Sequence, residues 1–304
     1  MTGEGVASLG SLLSPDPHVG RGLPQSTHVL VPASAQPDAS WTFAPGVVLA
    51  VVLALALYVA RWRAGRRDRR GPAVGRAGGG RLLAFCAGLL VVLVALVSPV
   101  DSLADQILAM HMVQHVLLLD IAPILVLLGL TRVLLRPLTR RVQAIERRAG
   151  LLAHPATAAV LYVGAMWAWH VPVLYDAAAS HSGIHVLEHL SFSAVGGLYW
   201  WHLLSPIPSR HRLSGLGPLA YMVATKLGVG LLGIALTFAP SAIYPFYEGQ
   251  PHFWGLSPHD DQSVAGLIMA TEQSIVMGIV LAWLFARMLG EADRRDERSE
   301  RYAT

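Results

Sequence analysis

Charge is scarce in this chain. Of its 304 residues, 14% are Asp, Glu, Lys or Arg and 54% are hydrophobic, whereas soluble domains carry roughly 25% charged residues. That is too little charge to clothe a water-facing surface, and it excludes disordered, collagen-like and nucleic-acid-binding chains. Lysine is almost missing, with Lys226 alone among 23 basic residues. Cysteine is reduced to Cys86, inside an apolar run, which rules out a disulfide framework and a thiolate metal cluster. Any metal would have to be held by His, Met or carboxylates. Residues 1–43 lack a basic segment followed by an apolar core, so they do not read as a cleavable signal peptide. Being rich in Pro, Ser and Gly, they are expected to form a poorly ordered extracytoplasmic tail.

What is present in quantity is apolar length. A helix needs roughly 20 apolar residues to cross a hydrocarbon core, and seven stretches approach this, near 44–62, 82–99, 107–130, 153–172, 185–204, 216–239 and 263–287. The arginines sort themselves between these stretches. One cluster, Arg61 to Arg81, follows the first, and another, Arg132 to Arg148, follows the third. Arg210 and Arg212 follow the fifth, and Arg287 to Arg301 follow the seventh. The alternate connections contain no Lys or Arg. The positive-inside rule then places the basic loops in the cytoplasm. The expected fold is an all-α integral membrane bundle of seven helices, residues 44–289, with the N-terminus outside and a charged cytoplasmic tail at 290–304. The expected location is the cell (plasma) membrane, crossed many times.

Thirteen histidines concentrate at the non-basic ends of these spans. His111 and His115 lie four apart, as do His185 and His189, so each pair shares a helix face. His170 closes the fourth span. At a rise of about 1.5 Å per residue, His115 would lie about 12 Å into the membrane, where polar groups face the bundle interior and need partners. Imidazoles bind copper, zinc and iron, and the thioethers of Met112 and Met269 suit Cu(I), which makes copper the first choice. Haem between two facing histidine helices is the second. Zinc is the third, because His185-Val186-Leu187-Glu188-His189 matches the H-x-x-E-H pattern of inverted zinc peptidases, with Glu188 as general base. The bland alternative is a polar vestibule of histidines bonded to backbone carbonyls.

Three more polar residues fall near mid-span, Asp120, Lys226 and Glu272. They are expected to meet, since a buried ammonium needs a carboxylate, as an ion-paired staple or as part of a proton or ion pathway. Trp167, Trp169, Trp200 and Trp201 read as interfacial anchors. Pro123 reads as a kink, and Gly196-Gly197 as packing positions.

The blocks HMVQHVLL, IAPILVLLG, WHVPVLYDAA, HVLEHLSFSAVGGLYWW, IYPFYEG and DQSVAGLIM, in that order, resemble the polytopic CtaG family of cytochrome c oxidase assembly factors, from about Pro99 to Leu289. The resemblance implies a non-enzymatic chaperone-like factor that works with oxidase subunits of the caa3 kind and handles copper at the outer face. It carries over to His111, Gln114, His115, His170, Tyr175, Asp176, His185, Glu188, His189, Asp261, Gln262 and Met269. Asp120, where an apolar residue is expected, is a departure.

Overall fold

The computed structural model describes residues 36–67 and 78–303, and every element among them is helical, with no strand. Residues 1–35 of the tail expected at 1–43, residues 68–77 of the first arginine cluster and residue 304 lie outside the described residues. Proline marks where helices begin. Pro45, Pro99, Pro155, Pro172, Pro245 and Pro258 each open one, a position where the missing N–H costs nothing and the fixed φ already suits a helix. The elements are α1 (Pro45–Arg67), α2 (Gly79–Val97), α3 (Pro99–Ala104), α4 (Leu108–Val116), α5 (Ala122–Gly129), α6 (Arg132–Ala149), α7 (Pro155–Trp169), α8 (Pro172–Ser180), α9 (Ser182–Leu204), α10 (Gly217–Thr237), α11 (Pro245–Glu248) and α12 (Pro258–Ala303).

Five helices are long and apolar enough to cross a membrane: Pro45–Gly65, Gly79–Val97, Leu108–Gly129, Gly217–Thr237 and Pro258–Gly290. A sixth arises if α6 and α7, bent by 65°, count as one span. The protein is therefore a multi-pass membrane protein. Its outer surface agrees with this, since Leu49, Leu57, Leu83, Leu190, Leu227 and Phe285 are all exposed. α9 has the length, 23 residues, but His185, Glu188, His189 and His202 reduce its apolar character.

The span Leu108–Gly129 is the axis of the bundle, 50% buried against 11% for Pro45–Gly65. It packs on α2, α9 and α12, while α7 bridges α9 and α10, and α1 leans on α2 from outside. Midway, Leu117–Ile121 widens into a π turn, and the Ala122 N–H bonds to the Leu117 carbonyl. π turns of this kind recur at functional sites. Two residues explain this one. Pro123 has no N–H to offer the Leu119 carbonyl four residues back. Gly196 on α9 then brings its backbone so close to that carbonyl that a Cβ would collide with it. The α10–α12 contact is built the same way, with a Cβ on Gly266 falling 2.6 Å from the Gly233 carbonyl. Small residues let helix backbones approach where lipid offers no hydrophobic drive.

Trp200 departs from the sequence expectation. It is not an interfacial anchor: the ring is fully buried, and its Nε1–H donates to Asp120 Oδ1 at 2.7 Å. A buried carboxylate recruits donors more strongly than an interface recruits an indole.

A candidate metal centre of three histidines and a glutamate

α4 carries His111 and His115 one turn apart on its inner face, and both are buried. α9 carries Glu188 and His189, which packing against the π turn and α8 brings to the same level. One ligand atom from each of His111, His115, Glu188 and His189 can be chosen so that all four lie within 4.8 Å of one another. His111 Nε2 is 3.6 Å from Glu188 Oε2, and His115 Nε2 is 3.5 Å from Glu188 Oε1. These are longer than hydrogen bonds. Each approach stops short of direct contact.

The donor atoms also lack other uses. His111 Nε2, both nitrogens of His115, both carboxylate oxygens of Glu188 and His189 Nε2 are buried without a hydrogen-bond partner. Buried polar groups are nearly always paired, and a carboxylate left bare in apolar surroundings is costly. A cation placed among them would satisfy one donor atom from each of the four residues at once. The residues present fit a metal ion, and the group can hold one.

The outward nitrogen of His111 is oriented. Tyr247 Oη lies 3.3 Å from His111 Nδ1 and donates to the Ala104 carbonyl at 2.9 Å, an outer contact of the kind that fixes ligand rings. The Phe192 ring meets His115 edge-on at 4.5 Å, and Tyr175 lies 5.2 Å from His111. Tyr247, Phe192 and Tyr244, whose hydroxyl donates to the His170 carbonyl at 3.1 Å, were not singled out from the sequence. Their only signal was membership of the blocks IYPFYEG and HVLEHLSFSAVGGLYWW.

The other expected residues fall into place around the group. The His185 ring lies 4.2 Å from that of His189 at the rim, tilted by 55°, its Nδ1 4.0 Å from Asp105 Oδ1, and it is not among the four converging donors. His170 ends α7. Its Nδ1 donates to the Met166 carbonyl at 2.7 Å, and its Nε2 lies 3.3 Å from Met112 Sδ, which engages Met112 with His170. Met269 is buried in the apolar core on α12. His181, His252 and His259 are not among the four converging donors, and His259 bonds the Ala239 carbonyl at 2.8 Å.

Four of the remaining residues brace the walls. Asp261 on α12 accepts from the Leu108 and Ala109 amides at 2.8 and 2.9 Å, capping the positive end of α4, where Ile107 has no capping side chain. Gln114 donates to the Ala95 carbonyl and to Asp101 at 2.8 and 2.7 Å, tying α4 to α2 and α3. Gln262 accepts from the Ile243 amide at 2.7 Å, and Asp176 from Phe246 at 3.3 Å.

Below the group, at the π turn, Asp120 is fully buried and accepts from Tyr162 Oη at 2.8 Å and from Trp200. Gln273 links it to Glu272, with its Nε2 2.9 Å from Glu272 Oε2 and 3.5 Å from Asp120 Oδ2. Lys226 does not join them. Among the described residues it forms no ion pair with a carboxylate, because the inward position on that turn of α10 is taken by Thr225, whose hydroxyl meets Tyr199 at 2.8 Å. The next residue is rotated about 100° around the helix. Neutral donors surround Asp120 instead of an ammonium.

A family model described as the cytochrome c oxidase caa3 assembly factor (Caa3_CtaG) matches residues 56–291. An uncharacterized protein of Mycobacterium leprae is 24% identical over 245 residues, covering 74% of this chain and 36% of that protein. Uncharacterized proteins of Mycobacterium bovis and Mycobacterium tuberculosis are each 29% identical over 308 aligned residues, covering 93% of this chain and 44% of theirs. The chain thus spans less than half the length of these relatives. No solved structure matches it.

Proposed function

The chain belongs to the cytochrome c oxidase caa3 assembly factor family, and from that premise we propose that it binds copper as cargo between α4 and α9 and passes it to oxidase subunits. The observation that carries this reading is the set of buried, unpartnered donor atoms on His111, His115, Glu188 and His189 within 4.8 Å of one another. Imidazole suits copper. His170 and Met112 next to the group, with the His115 and His170 rings 6.0 Å apart, add a nitrogen and a thioether along a path by which a soft ion can leave.

The alternatives fit less well. A haem held between the two histidine helices needs an open slot, but Glu188 of α9 lies 3.6 and 3.5 Å from the His111 and His115 imidazoles of α4, and Phe192 and Tyr175 close in on the same rings. A zinc peptidase needs Glu188 free to take a proton from metal-bound water, whereas here its two oxygens face His111 and His115 as members of the donor set. Metal analysis and optical spectra of the purified protein test the proposal. Copper near one ion per chain with no haem absorption is the expected result, and zinc in its place revives the peptidase.

For topology, we infer that α7 and α9 also cross, giving seven spans with the histidine face outside and the arginine face in the cytoplasm of the plasma-membrane protein. In a Cys86→Ala background, a cysteine at His252 is expected to react with an impermeant thiol reagent on intact cells, and one at Arg147 only after lysis. Labelling of position 147 in intact cells would reverse the orientation.

A further inference from the structure

A cavity among the described residues lies away from the histidine group. It lies at the opposite, arginine-bearing end of the bundle, has a volume of about 580 Å³, and is walled by the C-terminal end of α9, the loop that follows it, the starts of α2, α6 and α10, the end of α5, and Trp283, Leu284 and Met288 within α12. His115 and Leu128, one near each site, are separated by about 20 Å of helix rise. Three guanidinium groups, Arg81, Arg132 and Arg212, line the cavity together with His202, and no carboxylate does.

The cationic groups are only partly used. Arg81 Nη1 donates to the Leu128 carbonyl at 2.7 Å and Arg132 Nε to the Pro206 carbonyl at 2.8 Å. These bonds hold the two side chains in place and leave their remaining N–H donors for a ligand. Arg212 makes no hydrogen bond or ion pair among the described residues, and His202 Nε2 is buried without a partner. Glu146, near the loop wall, is engaged with Ser209 Oγ at 2.6 Å and the Arg210 amide at 2.9 Å. Cations that line one cavity with no carboxylate in its lining call for an anion, and planar guanidinium forks match phosphate oxygens. The other wall is apolar and reaches the lipid side, where Trp283 is 45% exposed and Leu128 36%.

We propose that this cavity binds the headgroup of an anionic phospholipid, its phosphate between Arg81, Arg132 and Arg212 and its acyl chains running out over Leu128 and Trp283. An anion with an apolar tail meets both walls, and basic pockets between spans are where anionic lipids lodge. A soluble phosphate would meet only one.

The test uses the full-length protein in detergent, with phosphatidylglycerol, phosphatidylcholine and inorganic phosphate as probes, read by native mass spectrometry and by thermal shift. Phosphatidylglycerol is expected to stay bound and to raise the melting temperature, while phosphatidylcholine and phosphate do neither. Arg212→Gln, which removes a group with no structural bond, is expected to weaken phosphatidylglycerol binding about fivefold with copper content unchanged. Equal retention of the two lipids, or unaltered phosphatidylglycerol affinity in a folded Arg212→Gln variant, would overturn the proposal. Stabilisation by phosphate alone would assign the cavity to a soluble anion instead. Should Arg212→Gln fail to accumulate, the comparison of the three probes on the unaltered protein still decides.

Discussion

His115→Ala and His189→Ala proteins are each expected to lose most of their bound copper, with affinity falling by at least about 100-fold. Disturbing an outer partner of a metal ligand already costs about 10–100-fold, and these substitutions remove ligands themselves. The two changes are also expected to be non-additive. Ligands that share one ion act as a unit, so the double variant should be little worse than either single variant. Copper per chain after desalting, measured by elemental analysis, reads both effects. A Tyr247→Phe control, which removes only the hydroxyl beside His111 Nδ1, should retain copper with affinity lowered within about the same 10–100-fold range. Full copper occupancy in both single histidine variants would reduce the cluster to a polar vestibule.

The second large effect is expected at Glu188, the one carboxylate in the donor set. Glu188→Gln keeps the shape and a carbonyl oxygen but removes the charge and the basicity. If Glu188 is a cargo ligand, copper affinity falls and added copper restores oxidase assembly, because the three histidines remain. His189→Ala cells should not be rescued. A metallopeptidase behaves oppositely: without its base it keeps its metal and loses nearly all turnover. Oxidase activity in membranes from Glu188→Gln cells, with and without copper in the medium, separates the two outcomes. An oxidase defect that copper leaves unchanged, in protein that still binds metal, would favour catalysis over assembly.

Legibility in the sequence differed by the kind of interaction involved. The helical membrane class followed from composition, because a bilayer leaves the backbone no water to bond with and admits few charges. The long apolar helices followed from apolar runs, and His111 with His115 could be read as one candidate pair because residues four apart share a face on any α-helix. The family, too, was readable, from six separated blocks in order.

Relations between helices were not readable, since they depend on which faces meet. The spacing of His185 and Glu188 gives them similar standing in the H-x-x-E-H pattern, yet α9 turns Glu188 and His189 toward α4 and leaves His185 at the rim. Lys226 and Asp120, both near mid-span in the sequence, form no ion pair among the described residues, because one residue of helix rotation separates an inward position from a lateral one. Trp200 looked interfacial by its place near a span end until the π turn brought Asp120 to its indole. That turn depends on Pro123 and Gly196, far apart in the chain. By itself, then, the sequence determined the solvent, the long apolar helices and the residue types able to bind a metal, all of which rest on local periodicity and transfer energy. The tertiary structure alone decided which donors converge, which braces hold them and where three arginines share a cavity, because helix rotation and close backbone approach are set by packing across the bundle.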